Sequence, residues 1–269
     1  MSVLQAIILG LLQGLTEFLP VSSSGHLVLG QYLLGIKTQE MLSFDVYVHF
    51  GTLLSVCWIF RNDVVQILVS SWTALHTRTF RNAYKSNEHV RLGVAILVGT
   101  IPAAYLGLKY HDQVADAFRD PKLVSVNLVL SGLLLYLTRF AKVKEGKHLS
   151  VVLGLIIGLA QSIAILPGIS RTGSTISSGL YLRLSPALAA RFSFLLSIPV
   201  IAGAAAVEAK GVIRQGMETG FAPFIIGLVA AAVTGYFAIK ILLRIIERGK
   251  FSWFSLYCLA VGIAGIIFI

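Results

Sequence analysis

Charged side chains are scarce in this sequence. Only 13% of the 269 residues are Asp, Glu, Lys or Arg, whereas about a quarter are charged in a typical soluble domain. So few charges cannot cover a surface that faces water, and this excludes a water-soluble globular fold. The rest of the composition agrees, because 56% of the residues are hydrophobic and the mean hydropathy is +0.83. Lipid must therefore surround most of the chain.

Cysteine is almost absent as well. Cys57 and Cys258 both lie inside apolar runs, so we interpret them as small core residues that form neither a disulfide framework nor a metal site. The N-terminus lacks a basic segment followed by a small-residue cleavage site, and we therefore expect no removable signal peptide.

A net charge of +10 would suit a nucleic-acid partner. The basic residues, however, fall in short connections between apolar runs and form neither a basic helix face nor an aromatic stacking platform. In a membrane protein such a bias is a signal of topology. We expect membrane lipid, and no nucleic acid, among the partners.

Six apolar runs have the length of about 20 residues that a membrane-spanning helix needs. The sequence therefore predicts an all-α polytopic membrane protein, folded as a single integral membrane domain over residues 1–269. The predicted spans are 41–60, 89–109, 122–139, 186–207, 221–243 and 252–269.

Two further apolar stretches are interrupted by proline. The first runs over 2–35 with a break at Pro20, and the second runs over 150–183 with a break at Pro167. Proline cannot donate a backbone hydrogen bond and clashes with the preceding turn. Broken backbone survives at membrane depth only inside protein or beside a wet cavity. Each stretch is thus predicted to be a broken helical hairpin, either re-entrant or a pair of short spans.

The basic residues concentrate in three connections, which are 61–91, 139–148 and 240–250. Six spans with two hairpins that return to their side of entry place all three connections in the cytoplasm, as the positive-inside rule requires. Both termini then lie outside. The first hairpin enters from the outside and the second from the cytoplasm.

The two halves of the chain resemble each other. A shift of 148 positions aligns Gly10, Gln13, Ser22, Gly25 and Phe44 with Gly158, Gln161, Ser170, Gly173 and Phe192. Repeats of about 1–140 and 150–269 each contain one hairpin and three spans. An odd number of crossings inverts one repeat relative to the other, and inverted repeats with broken helices place a binding site near the bilayer midplane.

Polar residues cluster around both breaks. The first hairpin contains QGLTEFLPVSSSGH (13–26), in which Gln13 and Glu17 share a helix face and three serines precede His26. The second contains PGISRTGST (167–175), with Arg171 at a helix start. Helix starts offer free N–H groups and a positive dipole end, so both breaks suit an anion. The anion-binding set is Ser22, Ser24, Gly25, Gly168, Ser170, Thr172 and Thr175.

These residues supply the groups that phosphoryl transfer needs. Arg171 suits a phosphate clamp, and Glu17 with Gln13 suits a hard divalent cation that bridges phosphate oxygens. Ser23 could attack phosphorus with His26 or Glu17 as its base, or His26 could attack directly or serve as acid or base. We lean towards Ser23, because its hydroxyl has a base beside it.

Both segments resemble the signature segments of the undecaprenyl pyrophosphate phosphatase family, also called the bacitracin-resistance family. The resemblance covers essentially the whole chain. It implies that Glu17 is the essential acidic residue, that Ser22, Ser23 and His26 form the catalytic stretch, and that Arg171 binds phosphate. The first acidic position of the family's motif, which is Glu or Gln, is Gln13 here.

The resemblance also implies a reaction. Undecaprenyl diphosphate, a polyprenyl diphosphate lipid, would be hydrolysed to undecaprenyl phosphate and inorganic phosphate with Mg²⁺ or Ca²⁺, which recycles the carrier for cell-wall synthesis. The expected location is the bacterial inner (plasma) membrane, with the active site open to the outside. Whether the chain acts alone or as a homodimer stays open.

The main alternative is a secondary transporter or flippase for a lipid phosphate or a small anion, because inverted repeats and broken helices fit transporters equally well. A carrier needs an anion clamp but no nucleophile, so the Ser, His, Glu and Arg set favours the enzyme. Asp45 and His49 lie four residues apart within a span. Their sequence context fits a polar network that supports the site and a lining of its cavity equally well.

Overall fold

The computed structural model describes residues 1–35, 38–142, 148–215 and 222–269. Within these ranges the chain is almost entirely helical and contains no β-strand. The α-helices in chain order are α1 (Val3–Phe18), α2 (Ser23–Leu33), α3 (Thr38–Ile59), α4 (Arg61–His76), α5 (Phe80–Ser86), α6 (Glu88–Lys109), α7 (His111–Ala117), α8 (Pro121–Leu137), α9 (Val151–Ile163), α10 (Arg171–Tyr181), α11 (Pro186–Gln215), α12 (Ala222–Glu247) and α13 (Phe254–Phe268).

The predicted membrane spans are present as long apolar helices. Five helical segments of the described chain are long and apolar enough to cross a bilayer: Glu88–Lys109, Pro121–Phe140, Pro186–Val207, Ala222–Glu247 and Phe251–Phe268. A sixth candidate span is the pair formed by Phe44–Ile59 of α3 and by α4, which together are long and apolar enough but are bent by 75° where they join. The prediction of an all-α polytopic membrane protein with about six spans is confirmed.

The two broken stretches form helical hairpins, which we call the first hairpin (α1 and α2) and the second hairpin (α9 and α10). Helix α1 starts with a capping box between Ser2 and Gln5 and ends at Phe18, and the backbone of the next residue, Leu19, is extended before Pro20. Helices α1 and α9 have 16 and 13 residues, which is shorter than the roughly 20 residues of a full span. The prolines therefore divide each stretch into two short helices, as the sequence predicts.

Each hairpin packs against the other half of the chain. Helix α1 contacts α12, and α9 contacts α6. Both contacts depend on glycine: a Cβ atom on Gly10 would lie 2.5 Å from the Gly227 carbonyl oxygen, and one on Gly158 would lie 2.2 Å from that of Gly99. Small residues let helix backbones approach closely inside a membrane. The halves are thus interlocked, and residues of both can contribute to one site.

Phenylalanine side chains build the apolar core beside this interlock. Phe18, which follows Glu17 in the chain, is fully buried and packs edge to face on Phe194 at 5.8 Å. Phe60 packs on the other side of Phe194 at 5.5 Å. Phe44 and Phe192, which the shift of 148 positions aligns, are both fully buried. Large rings thus fix the backbone next to the polar residues of the first hairpin.

Two of the connections between the predicted spans contain helices. Helices α4 and α5 occupy the basic segment after the first span, and α7 contains Asp112 and Asp116. Asp120 caps α8 by accepting from the N–H groups of Lys122 and Leu123 at 3.0 Å each. Residues 143–147, in the second basic connection, and 216–221 lie outside the described ranges.

Candidate active site

The second helix of the first hairpin begins at an unusual backbone conformation. Ser22 has a φ of 68°, in the left-handed region that non-glycine residues rarely adopt. Its side chain caps α2 by accepting from the N–H of Gly25 at 3.3 Å, and it lies 3.3 Å from the hydroxyl of Ser24. This turn places Ser23 as the first residue of α2 and directs the helix start towards the end of α1.

The second hairpin has a matching start. Ser170 caps α10 by accepting from the N–H of Gly173 at 3.0 Å, and Arg171 is the first helical residue. Gly168 turns the chain with a φ of +91°, at a point where a Cβ atom would lie 2.3 Å from the Val124 carbonyl oxygen. Only glycine fits such a turn at so close an approach.

Both helix starts meet at Glu17. One carboxylate oxygen accepts from the Ser23 hydroxyl at 2.5 Å, and the other accepts from Arg171 Nη2 at 2.6 Å. Ser23 and Arg171 are 148 positions apart and align under the shift described above, so the two halves of the chain supply two different groups to one carboxylate. Glu17 is buried, with 7% of its surface exposed. A buried carboxylate is stable only with such partners, and Arg171 balances its charge.

Three more side chains complete the surroundings of Glu17. Gln13 is fully buried and donates from Nε2 to Glu17 Oε2 at 2.9 Å. His49 Nε2 lies 3.7 Å from the same oxygen. The Thr172 hydroxyl donates to the backbone carbonyl of Glu17 at 3.2 Å. The carboxylate is therefore held by groups from α1, α2, α3 and α10.

Two polar atoms of this cluster have no hydrogen-bond partner among the described residues. They are Gln13 Oε1 and Arg171 Nη1, and both are buried. A buried polar atom without a partner is costly, and such atoms commonly mark the place of a ligand. An amide oxygen suits a hard cation and a guanidinium N–H suits a phosphate oxygen, so the cluster fits a metal-bound phosphate.

No group of three or more His, Cys, Asp or Glu residues that could hold a metal ion occurs among the described residues. Magnesium in phosphate-processing sites is usually held by one or two carboxylates together with substrate phosphates. Glu17 and Gln13 fit a site of this kind, in which the substrate would supply the remaining oxygens.

The ring nitrogens of His26 form hydrogen bonds with groups other than Glu17, Ser23 and Arg171. Its Nδ1 lies 2.8 Å from the Ser22 carbonyl oxygen and its Nε2 lies 2.8 Å from the Tyr257 hydroxyl. The predicted catalytic residues Glu17, Ser23 and Arg171 are brought into direct contact, while both ring nitrogens of His26 have other partners.

Asp45 and His49 belong to the polar surroundings of Glu17. His49 donates from Nδ1 to the Asp45 carbonyl oxygen at 2.7 Å, and this bond directs Nε2 towards Glu17. The Asp45 carboxylate accepts from Gln31 at 3.0 Å. The structure thus favours the interpretation that Asp45 and His49 form a polar network that supports the site.

Thr175, a predicted anion-binding residue, is fully buried. Its hydroxyl lies 2.6 Å from the Ser193 hydroxyl and also donates to the Arg171 carbonyl oxygen.

Sequence reasoning did not identify the residues that hold the second hairpin in place. Asn127 donates to the Pro167 carbonyl oxygen at 2.8 Å. Ser131 donates to the Gly168 carbonyl oxygen at 3.0 Å and accepts from the Ser170 N–H at 2.9 Å. Both residues lie on α8. The signal was available, because Asn127 and Ser131 are four residues apart in an otherwise apolar span.

Comparison with known proteins gives a consistent result. A family model described as "Bacitracin resistance protein BacA" matches residues 6–264. Three similar curated proteins carry the name undecaprenyl-diphosphatase. The one from Salinibacter ruber is 41% identical and covers 97% of both chains. Those from Halothermothrix orenii and Korarchaeum cryptofilum are each 44% identical, and the matches cover 98% to 99% of the chains.

Proposed function

The chain belongs to the bacitracin resistance protein BacA family, and we propose that the Glu17 cluster is the site at which it removes the terminal phosphate of undecaprenyl diphosphate. The reaction is hydrolysis to undecaprenyl phosphate and inorganic phosphate, which returns the lipid carrier to cell-wall synthesis. The observation that carries the assignment of the site is the contact of Glu17 with both Ser23 and Arg171, across two hairpins.

Binding of the diphosphate uses the groups at both helix starts. Arg171 Nη1 has no partner among the described residues and is free to donate to a phosphate oxygen while Nη2 holds Glu17. The starts of α2 and α10 add N–H groups and the positive ends of two helix dipoles. Such fixed donors stabilise the charge of the transferring phosphoryl group.

Ser23 is the nucleophile in this mechanism. Its oxygen attacks the terminal phosphorus, its proton passes to Glu17 Oε2 at 2.5 Å, and the bond from that phosphorus to the bridging oxygen breaks. Undecaprenyl phosphate leaves with the electron pair. Water then attacks the phosphoserine and releases inorganic phosphate, while Glu17 returns the proton to Ser23. Positioning and charge stabilisation lower the barrier in both steps.

His26 lies three residues after Ser23 and shares its face of α2. Its Nδ1–H bond to a carbonyl oxygen leaves Nε2 as the nitrogen that can gain and lose a proton. We assign to it a second proton-transfer role beside Ser23 and not that of the nucleophile. A divalent cation, Mg²⁺ or Ca²⁺, held by Glu17 and Gln13 would neutralise charge on the phosphate oxygens.

The protein is a multi-pass membrane protein, and we place it in the inner (plasma) membrane of a bacterial cell. The substrate's phosphate groups would reach the cluster from the outer face. The first hairpin, which carries Ser23, enters from that face under the positive-inside topology.

The function is tested with purified protein in detergent and undecaprenyl diphosphate labelled in its terminal phosphate. We expect labelled phosphate to be released without any gradient across a membrane, which a transporter would not do. Arg171→Lys keeps the charge but loses the fork that binds both partners, so turnover should fall by about 100-fold or more, in line with loss of one stabilising donor. Arg119→Lys, at an exposed ion pair with Asp116, is the matched control and should keep full turnover.

The same reaction, quenched in acid, identifies the nucleophile. A phosphoserine survives acid, and we expect the label on Ser23. A parallel sample is quenched in alkali, because phosphohistidine is lost in acid. Label on His26 in that sample would overturn the assignment of the nucleophile. Absence of phosphate release from the unmodified protein would overturn the function itself.

A further inference from the structure

Both ring nitrogens of His26 are engaged in the described structure. Nδ1 lies 2.8 Å from the Ser22 carbonyl oxygen, which can only accept, so Nδ1 carries a proton. In the neutral ring Nε2 is then the acceptor, and the Tyr257 hydroxyl at 2.8 Å donates to it. The two rings are also stacked, with centroids 5.5 Å apart and planes within 10°. The Ser22 carbonyl oxygen therefore fixes the tautomer of His26, and Tyr257 fixes the orientation of its ring.

Tyr257 lies where α13 meets the break of the first hairpin. The neighbouring thiol of Cys258 donates to the Pro20 carbonyl oxygen at 3.5 Å. In the other half of the chain, Asn127 makes the corresponding bond to the Pro167 carbonyl oxygen. Each hairpin is thus bonded to the last helix of the opposite half. A thiol is a weak donor, so the hydroxyl of Tyr257 supplies the stronger of the two polar bonds that join α13 to the first hairpin.

We propose that Tyr257 is the positioning residue for His26, and that it keeps Nε2 in place in both protonation states. This inference rests on the proposed function, in which His26 exchanges a proton at Nε2. A hydroxyl is both a donor and an acceptor. It donates to Nε2 of the neutral ring and, after rotation of its O–H, accepts from the protonated ring. The ring of His26 therefore stays aligned on the face of α2 that it shares with Ser23.

A purely structural tether between α2 and α13 would also explain the contact, and the two roles differ in what they change. A tether stabilises the helix pair but leaves the chemistry of the imidazole unaltered. A positioning residue limits access to the Nε2 lone pair and affects the turnover number more than substrate binding. Tyr257→Phe separates these roles, because it removes only the hydroxyl and leaves the half-exposed ring on α13.

The first measurement is modification by diethyl pyrocarbonate, which reacts with an unprotonated ring nitrogen of histidine. Tyr257→Phe should raise the modification rate of His26 by about two- to tenfold, the range that loss of one hydrogen bond allows. The chain has six histidines, so the other five serve as internal standards in the same peptide mass spectrum. Tyr181→Phe is the matched control, because Tyr181 lies on the second hairpin and its hydroxyl donates to the Leu134 carbonyl oxygen of α8.

The second measurement is steady-state turnover. Tyr257→Phe should lower kcat by about tenfold and leave KM within about twofold, because His26 is misplaced while the phosphate-binding groups are intact. An unchanged modification rate of His26, or an unchanged kcat, would overturn the positioning role. The modification assay contains no substrate. It therefore tests the pairing of His26 with Tyr257 even if the unmodified protein fails to release phosphate, a result that would count against the proposed function alone.

Discussion

Glutamine at position 13 sets the charge of the cluster. Glu17 and Arg171 cancel each other at 2.6 Å, and Gln13 adds an amide oxygen without a charge. A diphosphate that enters this site brings several negative charges, and among the described residues it meets one fixed cation of the cluster, Arg171, with a free N–H. A divalent cation would supply the missing positive charge, and hard cations bind more tightly as the charge of their ligands rises.

We predict that Gln13→Glu keeps turnover and lowers the concentration of Mg²⁺ or Ca²⁺ needed for half-maximal rate by roughly tenfold, because a second carboxylate faces the cation. Glu17→Gln should abolish metal-dependent turnover. The measurement is phosphate release against titrated metal. Gln113→Glu adds the same charge on exposed α7 and should not alter the metal requirement. If Glu17→Gln kept its response to metal, the cation would have to bind elsewhere.

Single residues could be predicted where one segment carries both the residue and its partner. Gln13 and Glu17 are one helical turn apart, and Ser23 follows within the same motif, so their contacts are local. Tyr257 could not be found in this way, because 231 positions separate it from His26. For a tyrosine in an apolar span, the sequence alone does not show whether its hydroxyl is hydrogen-bonded to another helix or faces lipid.

At the level of helices, the structure shows how the backbone carbonyl groups at a helix break find hydrogen-bond donors inside a membrane protein. The residues around Pro167 have carbonyl groups that no helix can pair, and α8 provides the donors in their place. The sequence predicts the breaks at Pro20 and Pro167, but proline alone does not decide them, since Pro102 and Pro199 lie inside helices α6 and α11. The sequence does not predict which helix compensates for the breaks, since that depends on how the two halves pack.

We predict that Asn127→Ala destabilises the protein in detergent by about 1 to 2 kcal/mol, because the Pro167 carbonyl group is left buried without a donor. Turnover should fall as well, since Arg171 follows this turn directly. The measurement is thermal unfolding together with phosphate release. Ser125→Ala, which removes a bond to Pro121 within the same helix, is the control. If Asn127→Ala and Ser125→Ala lowered stability and turnover equally, the bond from α8 to the second hairpin would contribute no more than a bond within α8.

Helix α4 shows a different limit of sequence reasoning. Its charges mark it as a connection, yet its apolar residues recur at helical spacing: Val65, Leu68, Val69, Trp72 and Leu75 are all more than half exposed. A 75° bend separates the axis of this helix from that of α3. An amphipathic helix of this kind suits the surface of a bilayer. The charges predict the side of the membrane on which this segment lies, but they do not indicate that it is helical.

For the molecule as a whole, the site exists only because the halves interlock. Glu17 and Ser23 come from the first half and Arg171 from the second, and 154 positions separate Arg171 from Glu17. The shift of 148 positions predicts that the two helix starts are equivalent, and the structure brings both starts to one carboxylate. The repeat itself and the inverted orientation of its halves stay predictions, since their test is the topology of the chain in a membrane.

We predict that α5 and α7 lie on opposite sides of the membrane, with α5 in the cytoplasm. Helix α6 connects them with 22 mostly apolar residues. At 1.5 Å per residue it is about 33 Å long, which matches the hydrocarbon core. Arg81→Cys and Asp112→Cys place exposed thiols on the two helices, in a chain whose own cysteines are replaced by serine. In intact cells an impermeant maleimide should label Asp112→Cys alone, and both sites after lysis. Labelling of both before lysis would contradict the six-span topology, and with it the inversion of the repeats. Labelling of Arg81→Cys alone would keep six spans but reverse the orientation and place the first hairpin, with Ser23, on the cytoplasmic side.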